Sequence, residues 1–273
     1  MPTINGQTRL IGFFGTTYKT SKMYAMYNAA IEALGLNCIY IPFAVDDLQK
    51  ATDGIRHLGV AAIGITIPYK TDIMPFLDEL DGDAARIGAV NVVVNKNGRL
   101  IGSNTDGTGA LRALREQAEP AGRDVLLLGA GGAARAIAFA LGDAGAKLTI
   151  LNRTVAKAQE LAEAVGNGTR FGGVDDLPQR CDILINTTSY GMANTPEVGL
   201  SLVPPNFLGP EMTVMDIVSN PRETRLLQDA AAKGCKLVYG YRMLLWQGVY
   251  KFELFTGVEP PVAVMEQAME AMK

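Results

Sequence analysis

A lysine two residues beyond an Ile-Pro pair, in the stretch GITIPYKTD at residues 64–72, is the first candidate for chemistry. Its neighbours leave two readings of Lys70 open: a solvated cation on the first turn after a strand, or the group that moves a proton. His57 is the only histidine. That excludes a Ser/His/Asp triad, a His-paired cysteine and any multi-histidine metal site, so proton chemistry falls to Lys, Asp, Glu or Tyr. His57 itself, between Arg56 and Leu58 on an expected amphipathic helix, receives no role. Cys38, Cys181 and Cys235 lie far apart with no CxxC pairing, so neither a zinc site nor a disulfide framework is expected. No metal is assigned.

The second chemical feature is LLLGAGGAARA at residues 126–136, a glycine turn between an apolar run and an alanine-rich run. Gly129 permits the tight turn after a strand. Gly131 and Gly132, with Ala130 and Ala133 around them, let backbone approach a pyrophosphate, and the following helix supplies N–H donors and the positive end of its dipole. The strand, the turn, the helix and the next strand fall within a single βαβ span, the context in which a glycine-rich match signifies dinucleotide binding. Where an acid would accept the ribose hydroxyls of NAD, the second strand closes on Asn152-Arg153-Thr154. No carboxylate there repels a 2′-phosphate, and Arg153 can grip one through a charge-assisted fork, so NADP is the expected cofactor. Lys157 is counted with the same set.

The elements that must position these residues are legible from residue 123 onward. DVLLLG, KLTILN, CDILINTT, MTVMDIV and KLVYG are near-continuously apolar strands, with helices AARAIAFALGDAG and TVAKAQELAEAVG between the first of them, Thr154 capping the latter. That is the pattern of a doubly wound parallel sheet, buried on both faces. The first 105 residues also alternate: RLIGFFG, a helix from about 22 to 34, CIYIPF and AAIGITI, then a hairpin turning at Asn97-Gly98. This half is read as α/β with an antiparallel edge. The expected fold class is α/β in two domains, with residues 1–106 forming a substrate domain and 107–240 a Rossmann domain. A helix at roughly 108–118 follows the boundary, and two C-terminal helices (241–273) return to complete the first domain.

Composition sets the outer limits. The chain has 273 residues, 48% apolar and 19% charged, and a net charge of −3 without a block of like charges. This describes a globular protein with a small-molecule partner, without the electrostatic footprint of a nucleic-acid or membrane binder. No run approaches the length of a membrane span and the N-terminus shows no apolar signal segment, so a cytoplasmic location is expected. A monomer or homodimer is expected.

Six further motifs, TIPYK (66–70), IGAVN (87–91), NTDGTG (104–109), NTTSYGM (186–192), DIVSNP (216–221) and GYRMLLWQ (240–247), together make the chain resemble the shikimate dehydrogenase family over nearly its whole length. The resemblance implies reversible, NADP-linked reduction of 3-dehydroshikimate to shikimate in a cleft between the two domains. It implies Lys70 and Asp106 as the catalytic pair. Ser21, Thr66, Asn91, Asp106 and Gln247 would bind substrate. Asn186, Thr187, Thr188, Ser189 and Ile217 would line the cofactor groove, with Gly240 and Met243 bordering the nicotinamide. The chemistry is coherent: reducing a carbonyl leaves an oxygen that must receive a proton, which a lysine supplies while a carboxylate holds it in place. The ordinary alternatives are a helix cap for Asp106, a plain strand residue for Thr66, a polar helix position for Gln247 and core packing for Met243, Leu244 and Trp246.

Two departures touch the substrate end. The family usually grips the substrate carboxylate with two serines in an SLSP turn; here the turn is Ser21-Lys22-Met23-Tyr24, and Ser219 stands where the family generally carries tyrosine. Lys22, Tyr18 or Tyr24 are the candidate replacements for the lost hydroxyl. These changes motivate one alternative, a dehydrogenase for quinate or another hydroxylated cyclic carboxylate. Two more are a catalytically silent dinucleotide-binding regulator, against which the retained Lys70 and Asp106 argue, and a folate-linked dehydrogenase of related two-domain design, which would explain a lysine in the cleft but not NTDGTG.

Overall fold

The computed structural model describes residues 4–16, 21–66 and 68–272. Tyr18, and Ile67 of the TIPYK motif, lie outside them. In chain order the elements are β1 (Arg9–Gly15), α1 (Lys22–Ala33), β2 (Cys38–Ala44), α2 (Leu48–His57), β3 (Ala62–Ile65), α3 (Tyr69–Asp72), β4 (Glu79–Leu80), α4 (Gly82–Ile87), β5 (Val92–Lys96), β6 (Arg99–Ser103), α5 (Asp106–Leu114), β7 (Asp124–Leu128), α6 (Gly132–Asp143), β8 (Lys147–Leu151), α7 (Val155–Val165), β9 (Arg170–Gly172), β10 (Ile183–Asn186), β11 (Thr213–Asp216), α8 (Arg225–Ala232), β12 (Lys236–Tyr239), α9 (Gly240–Thr256) and α10 (Val262–Ala271). They form two compact units, one of residues 1–105 with 248–273, the other of residues 106–247.

The first unit carries a mixed sheet in the order β2-β1-β3-β5-β6-β4. β1, β2 and β3 run parallel; β5 is antiparallel to both β3 and β6. Asn97 and Gly98, both with positive φ, close the β5–β6 hairpin, as two-residue Asn-Gly turns do. The antiparallel pair is not the edge of the sheet, because the short β4 pairs in parallel outside β6. Two residues of strand among charged neighbours leave no alternating pattern to read, which is why β4 escapes a sequence reading.

The second unit is a parallel sheet in the order β12-β11-β10-β7-β8-β9, with the topological switch between β7 and β10. β7 explains the unbroken apolar runs: Val125 and Leu127 face one core, while Leu126 and Leu128 face the other. α5 begins at Asp106 rather than 108 and ends at Leu114, so Asp106 is a residue of its first turn. The return to the first unit falls within α9, after Gln247, instead of at 241. The physical reason is that Met243 and Trp246 still pack on the core built by β7, β10 and α6.

Candidate active site

In the first unit, backbone hydrogen bonds gather three of the expected site residues. Ile65 at the end of β3 donates to the Asn91 carbonyl at 2.9 Å, which sets Thr66 beside Asn91. Val90 donates to the Lys70 carbonyl at 2.7 Å, tying the short α3 to the same segment. Asn91 donates its own N–H to Ser103 at 3.0 Å, and its fully buried amide accepts from the Thr105 backbone at 3.0 Å and donates to the Thr105 hydroxyl at 3.3 Å. Asn91 therefore spends its side chain partly on shaping the Asn104-Thr105 segment between β6 and α5. α3 is further held by the Tyr69 hydroxyl, which donates to the Val45 carbonyl at 2.6 Å. Lys70 and Thr66 are each half-buried.

The altered turn takes a clear form. Ser21 is the N-cap of α1, its hydroxyl accepting from the Met23 N–H at 3.2 Å. Met23 is buried, and a Cβ added at Gly248 would lie 3.4 Å from its sulfur. The position of the second serine is thus an apolar contact. Lys22 is exposed. The Tyr24 ring packs edge-on to Phe13 and tilts against Tyr40, and burial raises its phenol above the ordinary value.

In the second unit, α5 packs through bare backbone. A Cβ at Gly109 would stand 2.6 Å from the Gln247 nitrogen, and one at Gly107 would strike the Ala136 carbonyl of α6. Asp106, buried, lies one turn before Gly109 on the same side of the helix, so the close approach that admits Gln247 also brings it towards Asp106. The turn just after α5 is clamped to α9: Glu116 accepts from Arg242 at 2.7 and 2.5 Å and from the Trp246 indole at 2.7 Å. Burial pushes the Glu116 carboxyl up, but the Arg242 and Trp246 hydrogen bonds outweigh it and hold the group below its usual range. Trp246 is therefore structural, with Arg112 stacked 4.2 Å above its ring centroid.

The glycine turn opens as its sequence implies. Gly129 has φ +110°, and a Cβ there would meet the Thr187 hydroxyl at 2.5 Å. Gly131 caps α6 and Gly132 begins it, and a Cβ on either would meet nothing within 4 Å. That open space lies before a helix N-terminus, with Arg135, Lys157 and Glu160 lining it beside Ala130, and two cations with free backbone donors suit a pyrophosphate. A second groove at the ends of β7, β8 and β10 is lined by Gly129, Asn152, Arg153, Thr188, Ser189 and Tyr190. Its exposed Arg153 can meet a 2′-phosphate. Glu197 lines the same groove, an acid that sequence reading passed over because it lies in an irregular loop far from β8. Thr154 stands at the N-cap of α7 without a side-chain cap bond; Asn152 instead donates to its carbonyl at 3.0 Å. At the far end, a Cβ on Gly240 would strike the carbonyls of Ile217 and Val218. Ile217 packs on the same core as the buried Met243.

Asp216, at the end of β11, is completely buried and its carboxyl is pushed up to about 6 by burial, against three hydrogen bonds that favour the anion. The folded protein thus holds a proton that the unfolded chain has lost between about pH 4 and 6, so this contribution to stability is present at low pH and lost as pH rises through about 6. Asp216→Asn removes the titration. Its stability relative to the native chain should improve by up to about 3 kcal/mol between about pH 4 and 7. Denaturant titrations across that range check it, and a flat difference would contradict the shift.

The fold and groove define a dinucleotide-binding α/β enzyme built from two units. Three family profiles match the chain: the shikimate dehydrogenase substrate binding domain over residues 13–93, shikimate / quinate 5-dehydrogenase over 112–228, and the shikimate 5′-dehydrogenase C-terminal domain over 240–270. Shikimate dehydrogenase (NADP(+)) of Pyrococcus abyssi is 43% identical over 262 residues, 95% of this chain and 96% of that one. A crystal structure of a shikimate dehydrogenase in complex with NADP+ superposes with TM-score 0.92 at 39% identity, covering 98% of this chain and 97% of the other. The 5-ketofructose reductase of Gluconobacter sp. strain CHM43 superposes at 0.90 with 36% identity, covering 98% and 100%. The chain belongs to the shikimate dehydrogenase family, and it is an NADP-dependent oxidoreductase of that family. Among the described residues no helix is long and apolar enough to cross a membrane.

Proposed function

We propose that the chain interconverts shikimate and 3-dehydroshikimate, with Lys70 and Asp106 handling the proton. The observation that carries this reading is the network around Asn91, which gathers Thr66, the Lys70 backbone and Thr105, the residue before Asp106. NADPH, when bound, supplies the hydride to the carbonyl carbon. The Lys70 ammonium gives its proton to the resulting oxygen, and takes it back in the reverse direction. Asp106 orients that ammonium and accepts from a ring hydroxyl. Thr66, Asn91 and Gln247 hydrogen-bond the remaining hydroxyls, and Ser21 offers its O–H to the carboxylate while its lone pair caps α1. Steady-state assays with shikimate and both nicotinamide cofactors test the reading.

Arg153 reads the 2′-phosphate. Arg153→Ala should weaken NADP by about tenfold and leave NAD nearly unaffected, the modest figure reflecting an exposed side chain. Equal losses for both cofactors would show that Arg153 does not discriminate between them.

A second reading of the substrate follows from one contact, the buried Met23 against Gly248 where the family has a hydroxyl donor. A carboxylate leaving water needs donors in return, and one missing charge-assisted hydrogen bond costs about 10-fold or more in binding. The substrate is then a hydroxylated ring or keto compound that makes less demand there, as the likeness to a 5-ketofructose reductase allows. Met23→Ser should lower KM for shikimate by about tenfold while leaving KM for a neutral keto sugar, which has no carboxylate, unimproved. Efficient turnover of shikimate by the native chain, unchanged by Met23→Ser, would remove the second reading.

A further inference from the structure

Asp216 joins the two turns that flank the proposed cofactor groove, and no residue of the expected site accounts for it. Its Oδ1 accepts from the Asn186 amide and from the Val218 N–H, both at 3.0 Å. Its Oδ2 accepts from the Thr224 hydroxyl at 2.6 Å, which itself caps α8. Three chain segments therefore meet on one carboxylate.

Each arm leads to the groove. Along the first, Asn186 is held by Asp216 and its carbonyl accepts from the Thr188 N–H at 3.1 Å and the Thr188 hydroxyl at 2.7 Å. The Thr188 hydroxyl accepts in turn from the Tyr190 N–H at 3.2 Å. This fixes the Thr187-Thr188 turn, which stands against Gly129, and aims Ser189 and Tyr190 into the groove beside Arg153. Along the second arm, the Val218 N–H bond fixes the bend after β11, whose Ile217 and Val218 carbonyls face Gly240. Asn186 pairs with Asp216 across the β10–β11 ladder, so a single carboxylate sets both turns in register with the sheet.

We propose that Asp216 is a positioning residue for cofactor binding, holding the Thr187–Tyr190 turn and the Ile217-Val218 bend in the arrangement that receives NADPH. The inference rests on the reading of that groove as the cofactor site. What it requires of residue 216 is acceptor geometry rather than charge. An asparagine can keep its carbonyl on Asn186 and Val218 and turn its amide to Thr224, whose hydroxyl then accepts instead of donating. Alanine leaves three buried donors unmatched and both turns untied.

The test is NADPH affinity, read from nucleotide fluorescence, in Asp216→Ala and Asp216→Asn. Asp216→Ala should bind NADPH about tenfold or more weakly, and Asp216→Asn should recover to within about threefold of the native chain. A merely structural role would move melting temperature without this recovery pattern in affinity. Because alanine at a buried site can unfold the unit, Asn186→Ala is measured beside it. That variant keeps the carboxylate with its Val218 and Thr224 bonds and removes the arm through Asn186, its bonds to Asp216, Thr188 and the Tyr190 carbonyl, and it should also weaken NADPH. Native affinity in folded Asp216→Ala or in folded Asn186→Ala overturns the proposal, as does an Asp216→Asn that loses as much as alanine. Arg153→Ala, run in parallel with NADP, reports separately whether this groove is where the cofactor binds.

Discussion

Lys70→Ala should bind NADPH as the native chain does and turn over slower by on the order of 10²–10⁴. The expectation of intact binding comes from the fold: Lys70 belongs to the first unit, the glycine turn to the second. The expectation of an intact site comes from what holds α3. Val90 bonds to the Lys70 carbonyl, and Tyr69 to the Val45 carbonyl, and neither bond uses the lysine side chain. Alanine therefore removes the ammonium and leaves both of these bonds in place. Single-turnover measurements separate the chemical step from binding, and near-native turnover on the physiological substrate would refute the role.

Asp106→Asn should cost about 10²-fold in kcat/KM for the substrate while leaving stability close to native. The amide has the shape of the carboxylate, and the Gly109 approach to Gln247 is set by backbone, so the geometry persists. In the proposed mechanism, what is lost is the charge that orients the Lys70 ammonium and accepts from a ring hydroxyl. Unchanged kinetics in both directions would dissolve the pairing of the two residues.

The large-scale fold was legible because its elements carry strong periodic signals. The strands of the second unit are buried on both faces, and their unbroken apolar runs, the glycine turn and the Asn-Gly hairpin all announce themselves locally. The proposed cofactor set could be picked out for the same reason, since Gly129, Gly131 and Arg153 lie at or just after the ends of such strands. Asp216 was visible only as a letter in DIVSNP. Its significance lies in partners at 186, 218 and 224, and two of these join it through tertiary packing rather than through neighbouring sequence. Glu197 was hidden by an irregular loop. Met23 stood out in the sequence as a departure within a turn, but that its sulfur lies against Gly248 depends on a helix more than 200 residues away.

The two glycines of α5 bear on how this enzyme can change. Two residues apart on a helix point about 200° away from each other, so Gly107 and Gly109 present bare backbone to opposite neighbours. The segment is a shim with no slack on either side, and any accepted mutation must leave its thickness alone. Arg153 and the α1 turn are looser ground, one an exposed side chain and the other a helix start. If Arg153 and the α1 turn act as proposed, drift in cofactor choice and in substrate range is open to this lineage through single changes at those two places, while α5 and the acid it carries stay fixed.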